Sequence, residues 1–311
     1  MLQLKVSDSA IFWMTSGFEH TCLGVLGISL FIILSGASLM LSTKERFDVK
    51  TFFRNRFLSL YPLFWVTYAA AFLTLLLINH PFLSNAPHPL TFFLTIIGFD
   101  GFLLYAIPNF YLLGEWFLGF IIIMYILFPF LRYLFLKNAL LTVLLSFVIT
   151  LLVAEFYHPE MEIFRFPLFR LTEFVLGMGF IHFFSPSRGP LKLFIIAIAG
   201  VVFYLSIAVN IPVPFNVAMQ GISVFIFLAF ISGLFDNSLP GRCISFISRY
   251  SFGAFLLHHI VFLQILPLLQ ARHLSVFNSY LLFSLLLFFI YGMSFLLTSA
   301  TAFGLRKLAA K

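Results

Sequence analysis

Long apolar runs alternate along this chain with short polar or basic joints. The run CLGVLGISLFIILSGASLMLS, Cys22 to Ser42, carries no charge. It gives way to TKERFDVKTFFRNRFLSLYP, which holds Lys44, Arg46, Lys50, Arg54 and Arg56. An α-helix rises about 1.5 Å per residue against roughly 30 Å of hydrocarbon, so a run of this length spans a bilayer. The same reasoning predicts spans at 22–42, 61–79, 116–135, 139–157, 168–184, 192–210, 217–235, 250–270 and 277–303, nine in all. A further apolar stretch, 90–107, is interrupted by Gly98, Asp100 and Gly101 and ends at Pro108. Between the basic residues of the first joint, Phe47, Phe52, Phe53, Phe57 and Leu60 recur at near-helical spacing. That pattern reads as an amphipathic segment lying along the inner membrane surface.

Composition fixes the class that the pattern indicates. The 311 residues are 62% hydrophobic and only 9% charged, with 46 phenylalanines and a mean hydropathy of +1.08. A soluble fold of this length needs far more charge to cover its surface. The runs are too long for barrel strands. The expected fold is therefore all-α: a polytopic transmembrane helical bundle of about nine spans plus a re-entrant or broken segment, forming one domain over 1–311. The net charge of +7 lies in short joints between spans, where it sets topology, and no nucleic-acid partner is expected. Cys22 and Cys243 are the only cysteines. They fall at opposite faces of this topology, so no disulfide is expected.

Charge also decides how 90–107 sits. If it does not cross, 14 of the 18 Lys and Arg fall on the cytoplasmic side; if it does, the bias inverts. The stretch is therefore read as re-entrant or as a broken segment lining a cavity. The first span then runs from outside to inside, which leads us to expect an inside-to-outside helix upstream of it.

Ionisable groups in membrane segments are costly and mark function. Arg170 and Glu173, in FRLTEFVLGMG, are three apart on one helical face. They form either a local ion pair or an arginine held toward a water-filled cavity. Glu115 and Trp116 stand at the mouth of a span; an apolar-flanked carboxylate there suits a proton acceptor or simply complements the helix dipole. His258 and His259 lie about eight to ten residues into a span. Adjacent residues face different directions on a helix, and no His-x-x-x-His pair exists, so no metal site is expected. One of the two is expected to work as a hydrogen-bonding or acid–base group. His20 is a weaker candidate, and Asp100 is placed to line a substrate path. No Walker loop, Cys-x-x-Cys or Gly-x-Ser-x-Gly element is present in the sequence.

Five segments in order resemble the membrane-bound acyltransferase-3 family, which includes polysaccharide O-acetylases. GVLGISLFIILSGASLM resembles its G-V…S-G helix, with Ser35 and Gly36 at the S-G. FFRNRFLSLYPLFW resembles its arginine-rich segment ending in Y-P, with Pro62 in register. WFLGFIIIMYILFPFL matches at Trp116, Tyr125 and Pro129; FRLTEFVLGM resembles R-x-x-E-F-x-x-G; ISRYSFGAFLLHHIV puts His258 at the family histidine. The resemblance covers 24 to about 270. It departs in three places. The family's first helix, with an arginine and a histidine about eleven residues later, has no counterpart here, which agrees with the upstream helix expected from charge. Ser59 stands where an arginine is usual, leaving Arg54 and Arg56. Phe117–Ile122 carry no charge where one branch has a glutamate, and Glu115 takes that place.

The resemblance implies transfer of an acyl group, most often acetyl, from cytoplasmic acyl-CoA to a hydroxyl of an extracytoplasmic or lipid-linked glycan. It implies acetyl-CoA as donor substrate with no tightly bound cofactor, membrane lipids as surroundings, and a cell membrane, bacterial inner or plasma, as location. His258 and Glu115 are the catalytic candidates. Arg54, Arg56, Arg170, Glu173, Trp116, Asp100 and Ser35 are the substrate-binding candidates. Two other readings remain open at this point: a transporter or flippase of a glycan or lipid intermediate, and a truncated, inactive homologue.

Overall fold

A computed structural model describes residues 23–77, 88–108, 115–157, 160–183, 190–236, 238–269 and 275–309. The helices among them are α1 (Leu23–Ser42), α2 (Val49–Leu77), α3 (Phe92–Ile96), α4 (Trp116–Lys137), α5 (Ala139–Phe156), α6 (Leu171–Phe183), α7 (Pro190–Ala208), α8 (Val213–Ile231), α9 (Leu239–Arg249), α10 (Ser251–Leu269) and α11 (Val276–Ala309). In hydrocarbon the backbone finds no water, so each segment must satisfy its own N–H and C=O groups, as a helix does.

Among the described residues, six stretches are long and apolar enough to cross a membrane: Gly24–Ser42, Val49–Leu77, Trp116–Lys137, Ala139–Phe156, Phe215–Phe235 and Val276–Lys307. Three shorter apolar helices, Leu171–Phe180, Lys192–Ala208 and Ser251–Phe262, stand where the other three spans are expected. Six spans are thus carried by length and composition, against nine expected. The chain is a multi-pass helical membrane protein.

The burial pattern of α5 is that of a helix in lipid. Its buried residues are Thr142, Ser146 and Thr150, one every fourth position, while Leu140, Leu144, Phe147 and Leu151 are exposed. Small polar side chains face protein and large apolar ones face outward, the reverse of a soluble helix.

The chain divides into two compact units. One comprises Phe120–Asp236 and the described residues up to Val49. Here α1 packs against α6 and α8, α5 against α6, and α7 against α8. The α1–α6 contact is backbone on backbone. A Cβ added at Gly36 would come 2.1 Å from the Phe174 carbonyl oxygen, and one at Gly177 would come 2.0 Å from that of Ile33. Only glycine allows that approach, the close packing that lipid-embedded helices use. At the far end of α1, Arg132 donates from Nη2 to the Thr43 carbonyl at 2.8 Å, and its guanidinium lies 4.6 Å from the Phe47 ring centroid. It thereby satisfies a backbone acceptor just past the helix C-terminus.

The other unit comprises Lys50–Gly119 and Asn237–Lys311. It holds α2, α3, the first turn of α4, and α9–α11. Ala254, Leu257 and Val261 of α10 pack with Leu286 and Ile290 of α11. The expected surface segment takes a different form here: 49–60 are the first turns of α2, which continues through Pro62 to Leu77. Proline removes one helical hydrogen bond, but no break precedes it, and in a membrane protein continuing the helix satisfies more backbone than ending it would. The 90–107 stretch is broken, as its glycines predict. After α3 the chain turns at Gly98, whose φ is 76°, a conformation glycine adopts without strain. Side chains of α2 take up the carbonyls left at the end of α3: Tyr61 Oη donates to Ile97 O at 2.9 Å and Trp65 Nε1 to Ile96 O at 2.9 Å. One helix was not anticipated. In α9 the Ser238 side chain caps the N-terminus by accepting from Gly241 N at 3.1 Å, and Pro240 occupies its first turn. The Ser-x-Pro start was legible as a cap signal. Cys243, on α9, is free and exposed.

Candidate functional site

Two polar clusters lie among the helices, one in each unit. In the unit containing α10, the turn after α3 fixes Asp100. Its carboxylate accepts from Gly101 N at 2.9 Å and from the Thr95 hydroxyl at 3.1 Å. Burial raises the carboxyl above its ordinary pKa; those hydrogen bonds oppose the shift, and the charge of Glu115 adds to it. Asp100 therefore lies within electrostatic reach of Glu115.

Glu115 immediately precedes α4 and is buried, at 4% exposure. Its backbone carbonyl accepts from Leu118 N at 3.0 Å. Its Oε1 lies 2.8 Å from Nδ1 of His259 and 3.8 Å from Nδ1 of His258. The two imidazoles are 4.1 Å apart between centroids. The expectation that adjacent histidines diverge is corrected here. Side chains 100° apart on a helix flank a common direction, and the carboxylate of Glu115 meets both rings. Unlike Glu115, both rings keep exposed surface, 31% for His258 and 49% for His259. His258 Nδ1 also contacts the Phe255 carbonyl. Aromatic rings line this region: Phe117 meets Phe255 edge-on at 5.7 Å, and Trp116 meets Phe117 likewise at 5.7 Å. Of the two histidines, His259 makes the hydrogen bond to Glu115, a pairing that the sequence left undecided.

The second cluster belongs to the unit containing α6. Arg170, 1% exposed, stands just before α6, and its Nε lies 2.7 Å from Oε2 of Glu173, itself 2% exposed. The i, i+3 spacing delivers the pair that the sequence predicts. Glu173 Oε1 accepts from the Ser29 hydroxyl at 2.5 Å. Ser29 sits on α1, seven residues and two turns before Gly36. The two share the face packed on α6, and that shared face was the available signal for Ser29. The serine singled out from the family motif, Ser35, lies next to Gly36 and is only half-buried. Gln220 and Asn216 of α8 are also buried and are joined by a 2.9 Å hydrogen bond.

Arg54 and Arg56 are on the first turns of α2. Arg54 is exposed and Arg56 half-buried, with the Arg56 guanidinium 6.0 Å from the Phe52 centroid. His20 and Cys22 lie outside the described residues.

Comparison with known families settles the class that these clusters leave open. Residues 5–302 match the family model described as an acyltransferase domain. The chain belongs to the acyltransferase-3 family. It is thus a membrane acyltransferase by family, and the match covers nearly its whole length. No curated protein and no solved structure matches it significantly.

Proposed function

We propose that this chain is an O-acyltransferase acting as a single membrane domain. It transfers an acyl group, acetyl in the first instance, from a cytoplasmic CoA thioester to a hydroxyl of an extracytoplasmic or lipid-linked glycan in a bacterial inner or plasma membrane. The observation that carries the reading is the buried carboxylate of Glu115 hydrogen-bonded to the half-exposed imidazole of His259. With Nδ1–H donated to Glu115, Nε2 carries the lone pair, and the carboxylate stabilises the imidazolium that forms when the ring takes a proton. The proton leaves the acceptor hydroxyl for Nε2. The oxygen forms a bond to the thioester carbonyl carbon, the C–S bond breaks, and the thiolate of CoA leaves and is protonated.

His258, beside His259 and 3.8 Å from the same carboxylate oxygen, serves as the second acid–base group. Asp100 and Trp116 border this region and serve acceptor binding. Arg54 and Arg56, on the basic end of α2, suit the phosphates of CoA, because guanidinium groups bind phosphate oxygens in pairs. Arg170, Glu173 and Ser35 belong to the other unit, where Arg170 and Glu173 hold the helices that frame a donor or acceptor path.

The test measures CoA released from acetyl-CoA by purified protein supplied with a glycan acceptor extract. The reading expects release that falls with His259→Ala and, through a raised KM for the donor, with Arg54→Ala/Arg56→Ala. A transporter or flippase, which the broken segment after α3 also suits, moves its cargo without consuming acetyl-CoA.

A further inference from the structure

The geometry points to Glu115, His258 and His259 as a binding site for a zinc-class divalent cation. Each of these three side chains offers one ligand atom, and the three atoms all lie within 4.8 Å of one another. A tetrahedral zinc site has bonds of about 2.0–2.1 Å, so its ligand atoms sit roughly 3.3 Å apart. The 2.8 Å between Glu115 Oε1 and His259 Nδ1 lies close to that value. Small rotations of surface imidazoles bring such a set into register. In the metal-free protein a proton bridges Glu115 and His259; a cation takes its place.

The donor set chooses the class of cation. Two imidazoles and one carboxylate suit zinc and its neighbours, whereas calcium and magnesium take oxygen donors. Three protein ligands and a fourth position open to an incoming oxygen describe the open kind of zinc site. Here the half-exposed faces of His258 and His259 provide the opening. The outer contacts fit as well. A metal-bound imidazole usually gives its other N–H to a carbonyl or carboxylate. The Phe255 carbonyl stands at His258 Nδ1, which leaves Nε2 with the lone pair.

The inference does not depend on acyl transfer, and its test uses neither donor nor acceptor. Protein stripped with a chelator and desalted is equilibrated with zinc(II) in the low micromolar range, and bound metal is counted by mass spectrometry. Cobalt(II) is added in parallel, and its visible absorption reports coordination geometry. We expect one equivalent of zinc and a tetrahedral cobalt spectrum. His259→Gln and Glu115→Gln, close in size to the native side chains, should each weaken binding by more than the roughly 10–100-fold lost when a residue that only supports a ligand is changed. If either variant unfolds, X-ray absorption on the zinc-loaded native protein decides in its place, with imidazole and oxygen neighbours expected. Binding well below one equivalent, a six-coordinate cobalt spectrum, or unchanged affinity in both folded variants overturns the assignment. CoA release without zinc binding overturns the cation site and leaves the acyltransferase reading standing.

Discussion

The two carboxylates that organise the polar clusters have opposite surroundings. Glu173 is sealed, with a guanidinium on one oxygen and a hydroxyl on the other. The arginine beside it is among the largest fully buried side chains described. Glu115 is equally buried, yet its partners are imidazoles that keep a third to a half of their surface exposed. A closed ion pair holds helices in place; a carboxylate behind exposed imidazoles can act on something that arrives. Burial alone therefore does not distinguish a structural cluster from a chemical one. What distinguishes them is whether the partner of the buried charge remains accessible.

The sharpest way to break this comparison is to remove half of the sealed pair. Arg170→Ala leaves Glu173 buried without its counter-charge and should cost about 3–5 kcal/mol, read as a large drop in thermal stability in detergent. The double variant Arg170→Met/Glu173→Leu should recover much of that loss, because replacing both charges by apolar groups is often close to neutral. If the single and double variants lose stability equally, the cluster is not an isolated ion pair. Gly177→Ala tests the same unit through packing. Its Cβ would meet the Ile33 carbonyl oxygen, and a loss of about 1–3 kcal/mol is expected.

The accessible cluster should respond in the other way. His259→Ala should lower acyl transfer by about 10²–10⁴-fold, the usual contribution of a general base, with little change in melting temperature. A variant that melts early but retains turnover would make the two clusters alike. Asp100 should give the smallest effect. Its folded-state pKa is raised, mainly by burial, so it favours the folded state when protonated. That contribution is complete at acid pH below its unfolded value and is lost as pH rises through the folded value. Asp100→Asn, which stays neutral, should flatten this part of the stability–pH curve.

Much of this was readable in the chain because lipid allows few alternatives. An uncharged run of twenty residues has to become a helix, and α1, α4 and α5 lie where hydropathy places them. The Arg170–Glu173 pair is local, set by one turn of helix, and so it too was legible. The links that the sequence did not show are long-range ones. Ser29 reaches Glu173, and His259 rather than His258 hydrogen-bonds Glu115, through helix packing that no local period encodes. The continuity of α2 was missed because a basic run followed by proline looks like two elements. Local propensity says little about how strongly a membrane environment rewards an unbroken helix.

The sequence separation between Glu115 and His259 has a consequence for biogenesis. They are 144 residues apart. At synthesis rates of about 5–20 residues per second, the carboxylate is made roughly 7–30 seconds before its histidine. The gap between Ser29 and Glu173 is the same 144 residues, so that serine also waits for its partner. During insertion the growing chain must carry an unmatched acid beside the bilayer for that time, sheltered by the insertion machinery or by a bound proton.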